Sequence, residues 1–519
     1  MKYINFKLNL VGQKLGGVEI AKFSQGGSNE FDVMYVDASV NLKLNRALWI
    51  KDKINMSNEQ YRLFRKELNV NSPSIKRLVK YQHELNRSLN IKRISTGYYM
   101  DSMDLIKAKI EHLIRQHIIK PGNAIYLKLS QDGTQLSRNT KIVNFVINII
   151  NEGKKAATAE GCYPIGVFKI DDENYDTVAT WVSNVWERLK VFDKFQLDNN
   201  IYNILYFFSA DYKMLIFILG LYSATSNFPC IFCTQHTDKL KEVGEPRTFD
   251  ENRVYSTDPK KHRGYKNPPL IKDIPFIRYI ICLLHCMLRV TDKLFELLIP
   301  SVIRLDNFKS KFDPTKHIYL EKLRQFLKND INVTIGPIDL EVSSILQKLQ
   351  SLQGPKKIKI FERLTQRNCN LHTFFDGKLK NSEKVSQLWI DYWSINTSLS
   401  SDSKLTGEHL KITTKLWMDD FTQIYQEKHI TPYIHCMTHH LHESWTLFGN
   451  IGFFSGQGIE KLNDMSTIRF FKSTNKKSDL LNKTPLDTSV TNIDKNDFSY
   501  QLLAKMGRSM ILNKILKKT

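Results

Sequence analysis

Residues 124–134, AIYLKLSQDGT, and residues 200–211, NIYNILYFFSAD, decide the fold. Each is a strand-like apolar pattern that runs out into an aspartate, Asp132 in the first and Asp211 in the second. AIYLKLS alternates in the period of a strand, and Gln-Asp-Gly-Thr ends it. Between the two lie KIVNFVINII (141–150), a β-branched run, and CYPIGVFKI (162–170). ENYDTVATWVSNVWERLKVF (173–192) follows, with apolar residues at helical spacing. The order is three strands, a helix and a fourth strand. A right-handed crossover lays the helix on one face of the sheet and the fourth strand beside the first. Asp132 and Asp211 then become neighbours.

That order is the opening of an RNase H-like mixed sheet, so the fold class expected is α+β. On the N-terminal side, residues 1–50 are polar and punctuated by glycine, with no clear assignment. Helical patterns begin near Ser57, resume after Pro73, and end with MDSMDLIKAKIEHLIRQHII before Pro121-Gly122. On the C-terminal side, residues from Tyr212 to about Glu427 read as mostly helical, with Pro- and Gly-containing connectors near 258–275 and 331–356. A stretch that long is not a loop, so it reads as a large helical insertion interrupting the core. The boundaries expected are 1–120 for an N-terminal region suited to DNA binding or dimerisation, and 121–221 for the first part of the core. The insertion then covers 222–428, and a C-terminal helical part with a basic tail covers 429–519.

Composition narrows the partner. Of 519 residues, 42% are hydrophobic, enough for a packed core, and the net charge is +22. A surplus of that size favours a polyanion, most commonly nucleic acid. No apolar run approaches the roughly 20 residues that cross a bilayer, so no membrane is expected. The seven cysteines are odd in number and scattered, which argues against a disulfide framework and for a reducing compartment.

Three acids and one Cys/His set carry the chemistry. Asp132 lies in an Asp-Gly that alone reads as a turn. Asp211 alone reads as a helix N-cap, and Glu460, in FSGQGIEKLND, as a residue of a first helical turn. Together they supply the hard carboxylate oxygens that clamp two Mg²⁺ ions in phosphoryl transfer. No Ser/His/Asp or Cys/His nucleophile pattern competes with them. Cys230 and Cys233 form a CxxC, and the segment from His435 to His442 carries four histidines. Two thiolates and two imidazoles make a tetrahedral zinc site. Spacing leaves His435 with either His439 or His440, and His236 also competes. Such a zinc is structural, because four protein ligands leave no position for water. His285, on an apolar helix, reads as a core histidine, and Arg289 with Asp292 as a local ion pair. Arg469, Lys472, Lys476 and Lys477 flank Phe470 and Phe471, a pattern that suits phosphate contact and equally a solvated basic loop.

These residues, in this order, resemble the DDE transposases of the Transib and V(D)J-recombinase catalytic-subunit type. The related CACTA-like and Kyakuja–Dileera–Zisupton groups share the likeness. SQDGT looks like the first-Asp motif, and Asp211 ahead of PCIFC looks like the second. IPFIRYIICLLHCMLRVTD looks like the family's Leu-His helix, at His285. ITPYIHCMTHHLHESWTLFGNIGFFSGQGIEKLN looks like the His-pair segment that leads to the catalytic Glu. The likeness covers roughly residues 120–475, and its linked motifs are more specific than any one alone.

The resemblance implies an RNase H-like core split by a helical insertion, and a zinc held by Cys230, Cys233, His435 and His440. It implies Mg²⁺ or Mn²⁺ on Asp132, Asp211 and Glu460, DNA as substrate, a homodimer and a nuclear location. Glu460 rests almost wholly on it. A DNA transposase is the first functional expectation. A domesticated, non-catalytic DNA-binding protein stabilised by zinc is the second, and an RNase H-like nuclease without strand transfer the third.

Overall fold

The structure is a computed structural model. It describes residues 44–67, 71–257, 262–308, 312–336, 342–352, 354–400, 404–474 and 493–516, and four short strands nearer the N-terminus. Those strands are β1 (Lys7–Asn9), β2 (Lys14–Leu15), β3 (Val18–Gln25) and β4 (Asn29–Met34), paired antiparallel in a small sheet of their own. Three helices follow: α1 (Leu44–Lys53), α2 (Asn58–Glu67) and α3 (Ile75–Ser88).

The main sheet has eight strands. They are β5 (Ile91–Ile94), β6 (Gly97–Met100), β7 (Ile125–Ser137), β8 (Thr140–Ile149), β9 (Tyr163–Ile170), β10 (Lys194–Leu197), β11 (Asn200–Ala210) and β12 (Tyr279–Ile281). Their order across the sheet is β10-β11-β7-β8-β9-β6-β5, with β12 alongside β11. Strands β7, β8 and β9 form an antiparallel ribbon, and β11 lies parallel to β7. This is a mixed sheet, with the fourth long strand beside the first. The β5–β6 hairpin extends it past β9. Ile-Lys-Arg-Ile and Gly-Tyr-Tyr-Met are too short to separate from the helical patterns around them, so the sheet begins about 30 residues before the expected boundary at 120.

Both faces of the sheet are covered, which is why β8 reads as a nearly continuous apolar run. Val143, Phe145, Ile147 and Ile149 face α4 (Met103–Arg115) and α5 (Tyr175–Leu189), in a core that includes Ile106, Ile110, Val178 and Trp181. Ile142 and Val146 face the other way. They join Ile459, Leu462 and Phe470 of α17 (Gln457–Ser473) and Leu502, Leu503 and Met506 of α18 (Phe498–Leu516). Helix α18 packs on β9, β6 and α1, so it is an integral part of the core.

After β11 comes α6 (Tyr212–Leu219), capped by Asp211 and closed by Gly220 in the left-handed region (φ 67°). Residues 222–257 are largely irregular, with the short helix α7 (Phe249–Tyr255), and not the helical run expected there, while 262–275 are irregular as their Pro- and Gly-containing pattern implies. The helical part of the insertion comprises α8 (Leu283–Leu305), α9 (Ile318–Asn329), α10 (Val342–Gln350), α11 (Gly354–Leu364), α12 (Leu371–Phe374), α13 (Ser382–Ser400) and α14 (Gly407–Tyr425). Its core is aromatic: Phe361 stacks on Trp389 and on Trp393, and Trp417 on Phe421. Arg289 pairs with Asp292 at 3.4 Å, as its spacing suggests, and the buried Lys357 also bonds Asp292. Helices α15 (Pro432–His439) and α16 (Leu441–Phe448) then lead to α17. Among the described residues no helix is long and apolar enough to cross a membrane.

Candidate acidic centre and metal-binding cluster

Asp132 and Asp211 are brought together by strand register. Phe208 on β11 pairs with Leu129 on β7. Carried three residues further on each strand, the same register sets Asp211 level with Asp132. Ala210 is the last residue of β11, and Asp211 turns the chain into α6 by accepting a 2.8 Å hydrogen bond from the Met214 amide. The reading of Asp211 as an N-cap is therefore correct, and its carboxylate still sits at the strand end.

Helix α17 brings the third acid. It packs across β7 and β8 and presents Asn463 to the sheet. Asn144 on β8 lies opposite Asp132 in the ladder. Its Nδ2 donates to Asn463 Oδ1 at 2.6 Å, and Asn463 Nδ2 donates to Asp132 Oδ2 at 2.8 Å. Glu460 lies three residues before Asn463, on the same side of the helix. Its Oε1 is 3.3 Å from His285 Nε2, while His285 Nδ1 is 3.1 Å from the Cys282 sulfur.

The groups are electrostatically coupled. Burial pushes the Asp132 carboxyl up, His285 opposes this, and Asp211, Glu460 and Glu173 add to it, leaving it at about 7. Burial likewise raises Glu460, with His285 again opposing. Burial alone would lower His285, but Cys282, Asp132 and Glu460 outweigh it and lift it to about 10. The like charges of Asp211, Glu460 and Glu173 make it costly for Asp132 to ionise.

Beneath the acids runs a polar line on the same face of β7. Lys128 is 1% exposed, and its Nζ donates to the carbonyls of Phe454 (3.3 Å) and Ser455 (3.1 Å). Ser209 on β11 donates to the Phe454 carbonyl at 3.3 Å. Strand β7 does not end at Asp132, as its Gln-Asp-Gly-Thr suggested, but runs on to Ser137 paired with β8; it and β11 both grip the turn that launches α17. Lys128, Asn144, Glu173, Cys282 and Asn463 were not singled out by sequence. Lys128 and Asn144 interrupt apolar strands, and Asn463 lies one turn from Glu460. Those signals were present but are unspecific on their own.

The second centre is a Cys/His set. Ligand atoms of Cys230, Cys233, His435 and His440 all lie within 4.8 Å of one another, and all four residues are buried. The Cys233 sulfur is 3.3 Å from His435 Nε2. His435 Nδ1 faces the Leu240 carbonyl at 2.8 Å, and His440 Nδ1 faces Glu443 at 3.3 Å. Each imidazole is held by its outer nitrogen with Nε2 directed inward, as metal-bound histidines are. His440 Nε2 is buried with no hydrogen-bond partner. Burial raises the Cys230 thiol, but Cys233, Cys436 and His440 outweigh it and hold it well below the usual range. The set can hold a metal such as zinc.

The two competing histidines lie elsewhere. His439 Nε2 meets the Lys241 carbonyl at 3.1 Å, and His236 caps a short turn beside Asp238. Of the basic residues expected to contact phosphate, Lys472 is exposed on α17, whereas Arg469 is 7% exposed and turned inward. Lys476 and Lys477 lie outside the described residues.

No protein-family model matches the chain, and a search of curated proteins finds no match.

Proposed function

We propose that this protein is a DNA transposase of the DDE type, built on an RNase H-like core, that cuts and joins DNA strands by two-metal-ion phosphoryl transfer. The observation that carries the reading is that two acids from separate elements act by their charge on a third. Asp132 lies within β7, Asp211 follows the last residue of the parallel neighbour β11, and Glu460 comes from a helix laid across β7. The strand order of the mixed sheet and the net charge of +22 support the same reading.

The residues present fit Mg²⁺ or Mn²⁺, since the donors are carboxylates whose mutual repulsion disfavours the empty charged state. When bound, such ions activate a water or a 3′-hydroxyl and stabilise the leaving oxygen. The chain's own part is positioning. Asn463 orients the Asp132 carboxylate, the Met214 amide orients Asp211, and His285 holds Glu460 while its other nitrogen is held by Cys282. Zinc on Cys230, Cys233, His435 and His440 would tie the irregular segment after α6 to α15 and α16. DNA as substrate, action as a homodimer and a nuclear location complete the reading.

The test is incubation of the purified chain with Mg²⁺ or Mn²⁺ and DNA carrying the sequences on either side of its coding region. Strand cleavage followed by joining to a target, both lost in Asp132→Ala and Glu460→Ala, is the expected result. Cleavage without joining would mark a nuclease without strand transfer. Binding with no cleavage under any metal would mark a domesticated, non-catalytic DNA-binding protein.

A further inference from the structure

The irregular segment after α6 carries a row of four rings that its own backbone draws together. The bridge between Leu221 and Tyr265 sets Tyr222 against Gly264, and the Tyr222 amide donates to the Gly264 carbonyl at 2.9 Å. The Gly264 amide in turn donates to His262 Nδ1 at 2.8 Å, which fixes the plane of that imidazole. The Thr237 amide donates to the Asn227 carbonyl at 2.8 Å and so brings His236 beside Phe228. The ring centroids then run from Tyr222 to His262 at 4.5 Å, from His262 to Phe228 at 6.1 Å, and from Phe228 to His236 at 5.3 Å. Cys230 and Cys233 lie between Phe228 and His236 in the chain, so the metal-binding cluster anchors this stretch.

All four rings are only half-buried, whereas Tyr265, in the same segment, is fully buried. Successive rings stand at 46°, 90° and 83° to one another, so they form no single closed stack and each keeps part of its surface open. At the Tyr222 end of the row, the exposed Lys266 holds its ammonium 5.7 Å from the ring centre. Open rings beside a cation suit unpaired bases, whose faces stack on aromatic groups while their phosphates meet the charge. A duplex hides its base faces in its own stack and has nothing to offer such rings. The chain's net charge of +22 favours a polyanionic strand over an uncharged ligand.

We infer that the face formed by Tyr222, Phe228, His236, His262 and Lys266 binds a single strand of DNA through its unpaired bases. The inference goes beyond the proposed phosphoryl transfer, since it uses none of the three acids and needs no divalent ion. It can fail while strand cutting stands, and it can hold in a chain that cuts nothing.

Fluorescence anisotropy of a labelled oligothymidylate, and of a duplex of equal length, is measured on the full chain without added divalent ion. Tyr222→Leu and Phe228→Leu keep apolar volume and remove a ring, and Lys266→Gln removes the charge. Each lost ring should weaken single-strand binding about 5- to 150-fold, the range for one base stacked on an aromatic group, and leave duplex binding unchanged. Lys266→Gln should flatten the slope of log affinity against log salt by about 0.7, the value of one phosphate contact to a single strand. Single-strand affinity equal to wild type in both ring variants overturns the inference, as does a wild-type chain that binds no oligothymidylate. An equal loss on strand and duplex overturns it too, because the rings would then act on the fold and not on bases. Where a ring variant does not fold, Lys266→Gln carries the test, and an unchanged salt slope overturns the inference. A chain that binds oligoproline through these rings, and oligothymidylate not at all, overturns it in favour of a peptide.

Discussion

Asn463 donates a 2.8 Å hydrogen bond to Asp132 across 331 residues of sequence, and so pins α17 to the middle of β7. Because Glu460 lies one turn away on that helix, this bond sets where the third acid stands. Asn463→Ala should keep DNA affinity and lower metal-dependent cleavage about 10- to 100-fold, the usual effect of losing a partner that orients a ligand. The Mg²⁺ concentration for half-maximal cleavage should rise with it. Unchanged metal dependence would show that Asn463 only packs.

Lys128 is one level deeper. Its ammonium and the Ser209 hydroxyl hold the turn at Phe454 and Ser455. Lys128→Met keeps the volume and removes the bonds. Cleavage should fall, with Mn²⁺ restoring more of it than Mg²⁺, while oligonucleotide binding holds. Loss of both binding and cleavage would instead mean a collapsed core.

The acidic centre predicts a pH dependence of the metal-free protein. Asp132 is raised in the fold from 3.8 to about 7, so folding favours its protonated form. Its contribution to stability is full below about pH 4 and is lost as pH rises through about 7. Asp132→Asn should therefore be more stable than wild type at about pH 8 without metal, and the gap should close as pH falls toward 4. Mg²⁺ should stabilise wild type at the higher pH and leave the variant unmoved. Thermal unfolding across that range checks both signs.

At the Cys/His cluster, Cys233→Ser and His440→Ala should each strip zinc and lower the unfolding temperature by roughly 10 °C or more, since structural zinc contributes directly to folding. His439→Ala should keep a full complement of metal, because its Nε2 faces the Lys241 carbonyl. Elemental analysis of the three purified variants decides it. Wild-type protein without zinc would remove the site.

Asp52→Ala leaves the buried Arg508 of α18 without the carboxylate that it binds through Nε at 2.9 Å and Nη2 at 3.2 Å. Breaking a buried pair in this way costs on the order of 3–5 kcal/mol. Urea unfolding reads it directly, and a loss below about 1 kcal/mol would mean that water already reaches the cluster.

Much of the sheet could be read from sequence because β7, β8, β9 and β11 carry strong local patterns, long enough to fix their type. Their neighbours followed from chain order alone. The β5–β6 hairpin was hidden because strands of four residues carry almost no period. Residues 222–257 read as helical because scattered apolar residues satisfy any template. The CxxC was legible as a local motif, but the choice of His440 over His439 turns on which imidazole faces inward, and spacing leaves that open. Arg469 belonged by sequence to a surface strip with Lys472. In a helix three residues bring the chain to nearly the same side, yet the burial of Phe470 between them shows how sharply the α17 face divides.

Helix α18 packs against β9 and α1, placing Arg508 on Asp52 and Leu512 beside Ala47 and Leu48. A chain emerging from the ribosome makes α1 long before α18, its partner in packing, appears. Until then the face of β9 that α18 covers is bare, and Asp52 has no cation to meet. Residues 498–516 complete the packing of residues 44–53, so a product cut short before Phe498 leaves α1 unpacked as well.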